Sequence, residues 1–213
     1  MKAHITQNAD GVIISQTVAE HCRNTAEYAS EIMQRVGLGT VGYMSGLYHD
    51  IGKNKKFEVY LEKAFNGEPV QRGSVNHTFA GVIKLLRDYH SDDATGAEVD
   101  WLCDCLSEIM AFSVGAHHAM FDMGTVDGLQ ESGICRRYTF DREQIEYAEV
   151  LNYFYSSICT SGEEKALWSD AYSEFLKKYN EFYAVSRGKS VIFFFYIQCL
   201  MRHLLSAVVD GDR

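Results

Sequence analysis

The sequence predicts an all-α protein, a bundle of about seven or eight helices. Its 213 residues include 17 glycines but a single proline, so the turn signals that separate the strands of a β-rich chain are scarce. Hydrophobic residues make up 46% of the chain, which is enough for one substantial core. They recur mostly at three- and four-residue steps, the spacing of a helix face. We therefore expect one domain over residues 1–213.

Two predicted helices at the start of the chain carry the first candidate functional residues. The periodicity of residues 17–36 places His21 on an inward-facing stripe. Gly37-Leu38-Gly39 ends that helix. Thr40 is expected to cap the second helix, which carries His49-Asp50.

Three more histidines fall near the ends of later predicted helices. Ser74 to Asn76 are expected to cap a helix over residues 77–89, which puts His77 in its first turn. A helix over residues 99–116 delivers His117-His118 near its C-terminal end. The other predicted segments are a helix over residues 54–65, a polar connection at 91–96, a loop at 120–133, and helices over 141–159, 163–186 and 189–212.

Composition limits the partners and the compartment. The net charge of −9 argues against strong independent binding to a nucleic acid, because Lys and Arg supply most of the non-specific affinity. Six cysteines without a CxxC pair, and an N-terminus without an apolar signal segment, favour a reducing, cytoplasmic compartment. The apolar run at residues 191–201 is too short to span a bilayer and predicts a buried core helix, so no membrane partner is expected.

Five of the eight histidines can converge on one interior pocket of such a bundle, namely His21, His49, His77, His117 and His118. An imidazole gives a metal one nitrogen, whereas a carboxylate can bridge two cations. Five histidines around one aspartate therefore suit a two-metal site with Asp50 in the middle. Such a donor set takes Mn, Fe, Co or Ni, and Mg is also possible.

A second carboxylate is expected from the last helix, which offers Asp210 and Asp212. Helical steps back from Asp212 meet apolar, inward-facing residues, whereas steps back from Asp210 meet Ser206 and His203. We therefore predict that Asp212 is the ligand. The aromatic residues 193–196 are interpreted as core.

The residues after Asp50 add to this site. Gly52 permits a close approach of another backbone, and Lys53 lies one turn beyond Asp50. Lys53 would offer a positive charge to a phosphate oxygen, so Asp50 and Lys53 are the candidate catalytic residues. His4, His90 and His203 are assigned no function.

The order of these residues resembles the HD nuclease domain of the CRISPR-associated helicase-nuclease of type I systems. The resemblance covers nearly the whole chain, and Gly211 departs from the alanine usual in that family. It implies an HD-domain helical bundle with two ions, one held by His21, His49, Asp50 and Asp212 and the other by Asp50, His77, His117 and His118. The similar segments are residues 20–26, His49-Asp50-Ile51-Gly52-Lys53, Asn76-His77, His117-His118 and residues 206–213.

The resemblance also implies a function. It implies a metal-dependent nuclease that cleaves single-stranded DNA, as an endonuclease or exonuclease, in CRISPR type I antiviral defence. Its expected partners are a superfamily 2 helicase, in the same or a separate chain, and a guide-RNA surveillance complex. The sequence has no helicase motif, so we expect an N-terminal part of a longer helicase-nuclease.

Two other functions remain open from the sequence. One is a small-molecule HD phosphohydrolase, either a nucleotidase or a cyclic-dinucleotide phosphodiesterase. The HD-GYP phosphodiesterases share much of the ligand order, but here His117-His118 precede Ala119-Met120 rather than Glu and a Gly-Tyr-Pro segment. The other is a non-catalytic HD regulatory module, which is disfavoured because every ligand position has a candidate.

Overall fold

The structure is a computed structural model that describes residues 1–71, 73–91, 100–118 and 145–213. Eight α-helices make up most of these residues. The predicted all-α class is confirmed. A π-helical turn, Phe154–Ile158, follows the sixth helix. The helices are α1 Val18–Gln34, α2 Gly39–Tyr48, α3 Lys55–Phe65, α4 Phe79–Tyr89, α5 Trp101–Ala116, α6 Tyr147–Tyr153, α7 Ser161–Ser186 and α8 Ser190–Asp212.

A β-hairpin that the sequence analysis did not predict precedes the bundle. Strands β1 (Lys2–Gln7) and β2 (Ile13–Thr17) pair antiparallel, with His4 opposite Gln16 and Thr6 opposite Ile14. The connecting turn is stabilised by the Asn8 side chain, which accepts hydrogen bonds from two backbone amides in the loop. The hairpin leads directly into α1, because Thr17 ends β2 and also forms a capping box with Glu20.

Helices α1 and α2 pack at very short range, which fixes the distance between His21 and His49. A Cβ on Gly46 would lie 2.6 Å from the Ala26 Cα, and one on Gly42 would lie 2.5 Å from the Ala29 carbonyl oxygen. Only glycine fits at these two contacts, since the atoms opposite are backbone and cannot turn away.

Helix α8 is half core and half surface. Its second half packs on α1, α2 and α5, with Leu204 and Val208 fully buried. In its first half only part of the aromatic run is core: Phe193 is buried, but Phe194 and Phe195 are 51% and 61% exposed. The prediction that residues 193–196 are core is wrong for these two, because consecutive residues of a helix cannot all face inward.

Among the described helices, α8 is long and apolar enough to cross a membrane, with a mean hydropathy of 1.7 over its most apolar window. Only 39% of that window is buried. Length and composition are weak evidence for a span, because core helices pass the same test. Here the buried half of the helix belongs to the core of the domain.

A buried ionic cluster ties α4 to α7. Lys84, which is fully buried, donates to Asp88 at 2.8 Å, to the Tyr155 hydroxyl at 2.8 Å and to Glu164 at 2.7 Å. Glu164 is itself 4% exposed and also accepts hydrogen bonds from the hydroxyls of Tyr48 and Tyr155. Each buried charge therefore has a partner of the opposite sign.

Two predicted helix starts are wrong. Thr40 does not cap α2, which begins at Gly39; its amide and hydroxyl instead donate to Glu174 of α7. His77 lies two residues before α4 rather than in its first turn, so Ser74 to Asn76 do not cap that helix. Parts of four predicted segments lie outside the described residues: 92–96 of the connection at 91–96, residue 99 of the helix over 99–116, the whole loop at 120–133, and 141–144 of the helix over 141–159.

Candidate metal centre

Ends of helices from across the sequence meet at one buried point. His49 follows α2 and His117 follows α5 as C-caps, and Asp212 is the last residue of α8. The C-terminus of a helix carries partial negative charge, so three such ends favour a cation between them. His21 approaches the same point from the first half of α1.

Gly52 brings the chain before α4 into the same centre. The Gly52 backbone lies against the carbonyl of His77, and a Cβ at residue 52 would clash with it. The close approach expected at Gly52 is therefore present. It also accounts for the position of His77 outside the helix, because this contact holds the His77 backbone beside residues 49–52.

A first cluster contains His21, His49, Asp50 and Asp212. The Nε2 atoms of His21 and His49 lie 3.0 and 3.2 Å from Asp50 Oδ2, and 3.1 and 3.3 Å from Asp212 Oδ1. The two Nε2 atoms are 3.0 Å from each other. Ligand atoms at right angles around an ion, each about 2.1 Å from it, lie about 3.0 Å apart, so these spacings are those of a coordination shell.

A second cluster lies on the other side of the Asp50 carboxylate. Asp50 Oδ1 is 3.5 Å from His117 Nε2 and 3.6 Å from His77 Nε2. His118 completes the group, with its Nε2 atom 3.0 Å from His77 Nε2. Asp50 thus presents one oxygen to each cluster, which is the arrangement of a carboxylate that bridges two cations.

The ring orientations of three histidines suit metal binding. Nδ1 of His49 donates to the Gly46 carbonyl at 2.6 Å, and Nδ1 of His117 donates to the Val114 carbonyl at 2.5 Å. His77 makes a longer contact of the same kind, 3.4 Å, to the Val75 carbonyl. Because a carbonyl only accepts, each Nδ1 carries the proton and each Nε2 can direct a lone pair at the centre.

Two buried atoms at the centre lack a hydrogen-bond partner within the described residues, Asp50 Oδ1 and His117 Nε2. A carboxylate oxygen is an acceptor, and His117 Nε2 belongs to a ring whose Nδ1 already donates to the Val114 carbonyl. A buried acceptor without a partner is costly, since it has lost its water without gaining a hydrogen bond. A divalent cation satisfies both atoms at once, so the residues present fit a metal.

The protein environment keeps the carboxylates of the centre ionised. Burial would raise the pKa of Asp50, but His49 and Lys53 outweigh it and hold that pKa well below its usual value. Burial also opposes ionisation of Asp212, yet hydrogen bonds from His21 and His49 lower its pKa. Both carboxylates are therefore available to a metal at neutral pH.

The histidines of the centre differ in the direction in which their pKa values are shifted. Burial lowers the pKa of His77, and it lowers that of His118 to about 4. For His49 burial acts in the same direction, but the two aspartates raise its pKa to about 9. In the metal-free protein the His49 proton thus supplies part of the positive charge that the carboxylates require, and a metal ion would displace it.

Lys53 is buried and points at the centre. Its Nζ atom lies 2.6 Å from Asp50 Oδ2 and 5.4 Å from the centroid of the Phe57 ring. Its charge is therefore engaged by Asp50 in the absence of a metal. Contact between Lys53 and a phosphate stays a prediction.

The structure shows which of the two aspartates near the end of α8 faces the centre. Asp210 is exposed on the opposite side of α8, as is His203, whereas Asp212 faces the centre. His90 lies elsewhere, against Glu108. All seven predicted ligands are thus brought together: His21, His49, Asp50, His77, His117, His118 and Asp212.

His4, to which the sequence analysis assigned no function, also reaches the centre. Its ring lies edge-on to that of His21, with 4.5 Å between the centroids, and its Nε2 is 3.5 Å from Lys53 Nζ. Burial lowers the pKa of His4 to about 4, so the ring is neutral at pH 7. The alternation of side chains in residues 2–7 is the signal that could have predicted a strand there.

A cavity of about 830 Å³ opens beside the first cluster. Its walls are the hairpin, through His4, Thr6, Ile14 and Gln16, and the start of α1, through Glu20 and Asn24. His21 and Asp212 line it as well, so the cavity connects the first cluster with the surface.

The fold and the centre define the class of protein: a helical domain with a buried histidine–aspartate site suited to divalent cations. Residues 18–153 match the family model of the HD domain, and the chain belongs to that family. HD domains form a superfamily of metal-dependent hydrolases that includes phosphohydrolases. Comparisons with curated proteins and with solved structures give no match. The hairpin with His4, and helices α7 and α8 with Asp212, lie outside the matched residues.

Proposed function

We propose that this HD domain is a two-metal nuclease that hydrolyses phosphodiester bonds of single-stranded DNA. The observation that carries the proposal is the Asp50 carboxylate, which offers one oxygen to each of two ligand clusters. Two-metal centres bridged in this way are typical of phosphodiester hydrolysis. When bound, the metals would activate a water and neutralise charge on the phosphate.

The side chains have separate tasks in this mechanism. His21, His49 and Asp212 would hold one ion, and His77, His117 and His118 the other, with Asp50 between them. The backbone acceptors behind His49 and His117 keep those rings in position. Lys53, released from Asp50 when metals bind, would place its ammonium beside a phosphate oxygen.

The CRISPR assignment is a proposal that the order of residues supports. His21, the His49 to Lys53 segment, His77, His117-His118 and Asp212 follow one another as in the type I helicase-nuclease. The net charge of −9 is consistent with a domain that receives its DNA from a partner. We propose a superfamily 2 helicase and a guide-RNA surveillance complex as those partners, in the cytoplasm.

The decisive experiment compares metal binding with hydrolysis. Purified protein would be stripped with a chelator, reloaded with Mn, Fe, Co, Ni or Mg, and incubated with a labelled single-stranded oligonucleotide. We expect degradation that requires metal and that falls at least about 100-fold in Asp50→Ala, because the bridge is lost. Asp210→Ala is the matched control and should leave the activity unchanged.

The same assay separates the competing functions. Hydrolysis of mononucleotides or cyclic dinucleotides but not of oligonucleotides would show a small-molecule phosphohydrolase. An absence of metal uptake and of hydrolysis would show a regulatory module. Either result would contradict the nuclease.

A further inference from the structure

Two walls of the cavity beside the first cluster lie outside the matched HD segment: the end of α8, which carries Asp212, and the β-hairpin. The hairpin supplies the second of these walls. That wall is the face of the β-hairpin on which His4, Thr6 and Gln16 lie. We propose that this hairpin wall binds the sugar–phosphate backbone of a single-stranded nucleic acid and guides it to the metal centre. The proposal rests on the function proposed above and adds the surface that holds the substrate.

The register of the hairpin puts these three residues on one face. His4 pairs with Gln16 across the strands, and Thr6 is two residues beyond His4 on β1. Side chains two residues apart on a strand share a face and lie about 6.8 Å apart. The wall therefore offers three polar side chains around Ile14, which pairs with Thr6. Polar groups at such intervals suit the repeating backbone of a nucleic acid.

The opposite face of the hairpin is used for anchoring. Strand β1 packs on α3. The register shifts between Lys2 and His4, so Lys2 lies with Ile5 rather than with His4, and it forms an ion pair with Glu62 of α3. Ala3 is buried in the core. Because this side is fixed to the bundle, the wall has a defined position beside the centre.

His4 links the wall to the reacting end of the cavity. It contacts His21 by its ring and lies 3.5 Å from the ammonium of Lys53, which is 2.6 Å from Asp50. A phosphate seated between His4 and the first cluster would thus be next to the groups proposed to act on it. His4 is then a residue that contacts the substrate and not a metal ligand.

The chemistry of the lining favours backbone contacts. Thr6, Ser15, Gln16 and Asn24 are uncharged hydrogen-bonding residues. Ser, Thr, Asn and Gln side chains commonly bind phosphate oxygens and sugars, contacts that hold a strand without reading its sequence. Glu20 and Asp212 also line the cavity, and Arg213 is the basic residue beside them. Attraction between opposite charges therefore contributes little to holding the strand.

The test uses His4→Ala, Thr6→Ala and Gln16→Ala. The matched controls are His203→Ala and Gln198→Ala, at exposed positions of α8. Binding of a fluorescein-labelled 12-mer oligothymidylate would be measured by anisotropy in EDTA, so that this readout does not depend on activity. We expect each hairpin variant to weaken binding about three- to tenfold, the loss of a hydrogen bond, and each control to bind as the wild type does.

A second measurement checks the position of the wall. In the manganese-loaded protein, the KM for the oligonucleotide should rise in His4→Ala, while the manganese content stays that of the wild type. The control variants His203→Ala and Gln198→Ala should keep the wild-type KM for the oligonucleotide and the wild-type hydrolysis of bis(p-nitrophenyl) phosphate, a diester without a strand. Thr6 is exposed, so its variant tests the wall even if a change at His4 disturbs folding.

The possible outcomes distinguish a failure of the hairpin-wall proposal from a failure of the nuclease proposal. Unchanged oligonucleotide binding in all three hairpin variants would overturn the wall, whether or not the protein hydrolyses DNA. If the hairpin variants impair a mononucleotide and the oligonucleotide equally, the cavity is a nucleotide pocket and the strand proposal is wrong. If the metal-loaded wild type is inactive, the nuclease fails, while the anisotropy measurement still decides whether the wall binds DNA.

Discussion

Asp50 sits between two sets of histidines, and its surroundings show why an aspartate is needed there. Its side chain is fully buried, with Oδ2 facing His21, His49 and Lys53 and Oδ1 facing His77 and His117. An asparagine would keep the shape but would place an amide nitrogen against one of these groups. The other candidate ligands are easier to study by mutation, because each of them faces only one cluster.

A substitution at Asp212 tests whether the candidate ligands form two separate metal sites. Asp212→Asn removes a charged ligand from the first cluster and leaves His77, His117 and His118 intact. We expect the manganese content to fall from about two ions per chain to about one, since the second cluster keeps its own donors. The measurement is elemental analysis after dialysis.

Asp210→Asn is the control for that measurement, because Asp210 is exposed two residues earlier on the same helix. It should bind manganese as the wild type does. Two ions retained in Asp212→Asn would mean that Asp212 is not a ligand.

At the scale of elements, local signals predicted some features and tertiary contacts determined others. The Thr17 capping box and the Asn54 N-cap lie where the sequence analysis starts α1 and α3, because each side chain bonds to amides of its own helix. Thr40 bonds instead to Glu174 of α7, a contact 134 residues away that no local pattern contains. His77 is likewise placed by its backbone contact with Gly52. The sequence still indicated which side chains lie together, because that expectation used the positions of the histidines along the chain and not the exact ends of the helices. That these residues bind metal stays a prediction.

The contact between α1 and α2 is the element-scale feature on which the centre depends. In Gly46→Ala the new methyl would meet the Ala26 backbone at 2.6 Å, so the helices must separate. We expect a loss of about 1–3 kcal/mol in the free energy of unfolding, the usual cost of overpacking. Urea denaturation of the metal-free protein measures it.

Gly162→Ala is the matched control, because a Cβ there meets nothing within 4 Å at the start of α7. It should be neutral or stabilise by up to about 1 kcal/mol, since alanine favours a helix. If Gly46→Ala were as stable as the wild type, the close packing would not constrain the two helices.

The buried ionic cluster makes a second prediction at this scale. Burial opposes the charge on Lys84, but its bonds to Asp88 and Glu164 raise its pKa above the usual value, so it is charged at neutral pH. Lys84→Met would leave Glu164 buried without its cation, and we expect a loss of about 3–5 kcal/mol at pH 7.

The double variant Lys84→Met/Glu164→Leu removes both charges and should recover part of that loss, since replacing both members of a buried pair is often nearly neutral. Because the folded pKa of Lys84 is raised, the stabilisation is fully present below its unfolded pKa of about 10.4 and declines only as the pH rises above it. A double variant less stable than Lys84→Met would contradict this account of the cluster.

At the scale of the whole molecule, the negative net charge disfavours binding of a polyanion, whereas the proposed substrate of the centre is one. The chain carries 29 acidic and 20 basic side chains, which repel a polyanion. Within the described residues the cations next to the centre and its cavity are Lys53 and Arg213, and Lys53 is paired with Asp50. A domain with this charge has little long-range attraction for a nucleic acid strand, which agrees with the proposal that a partner brings the strand to the centre.

The salt dependence of DNA binding follows from that balance. The affinity for a single strand falls with salt at a log–log slope of about −0.7 for each phosphate neutralised, so one or two cations give a slope of about −1. Between 50 and 200 mM NaCl we therefore expect the isolated protein to lose only about fourfold in oligonucleotide affinity, measured by anisotropy. A slope steeper than about −4 would require about six or more phosphate contacts. The domain would then hold DNA electrostatically by itself, and the need for a partner that delivers the strand would disappear.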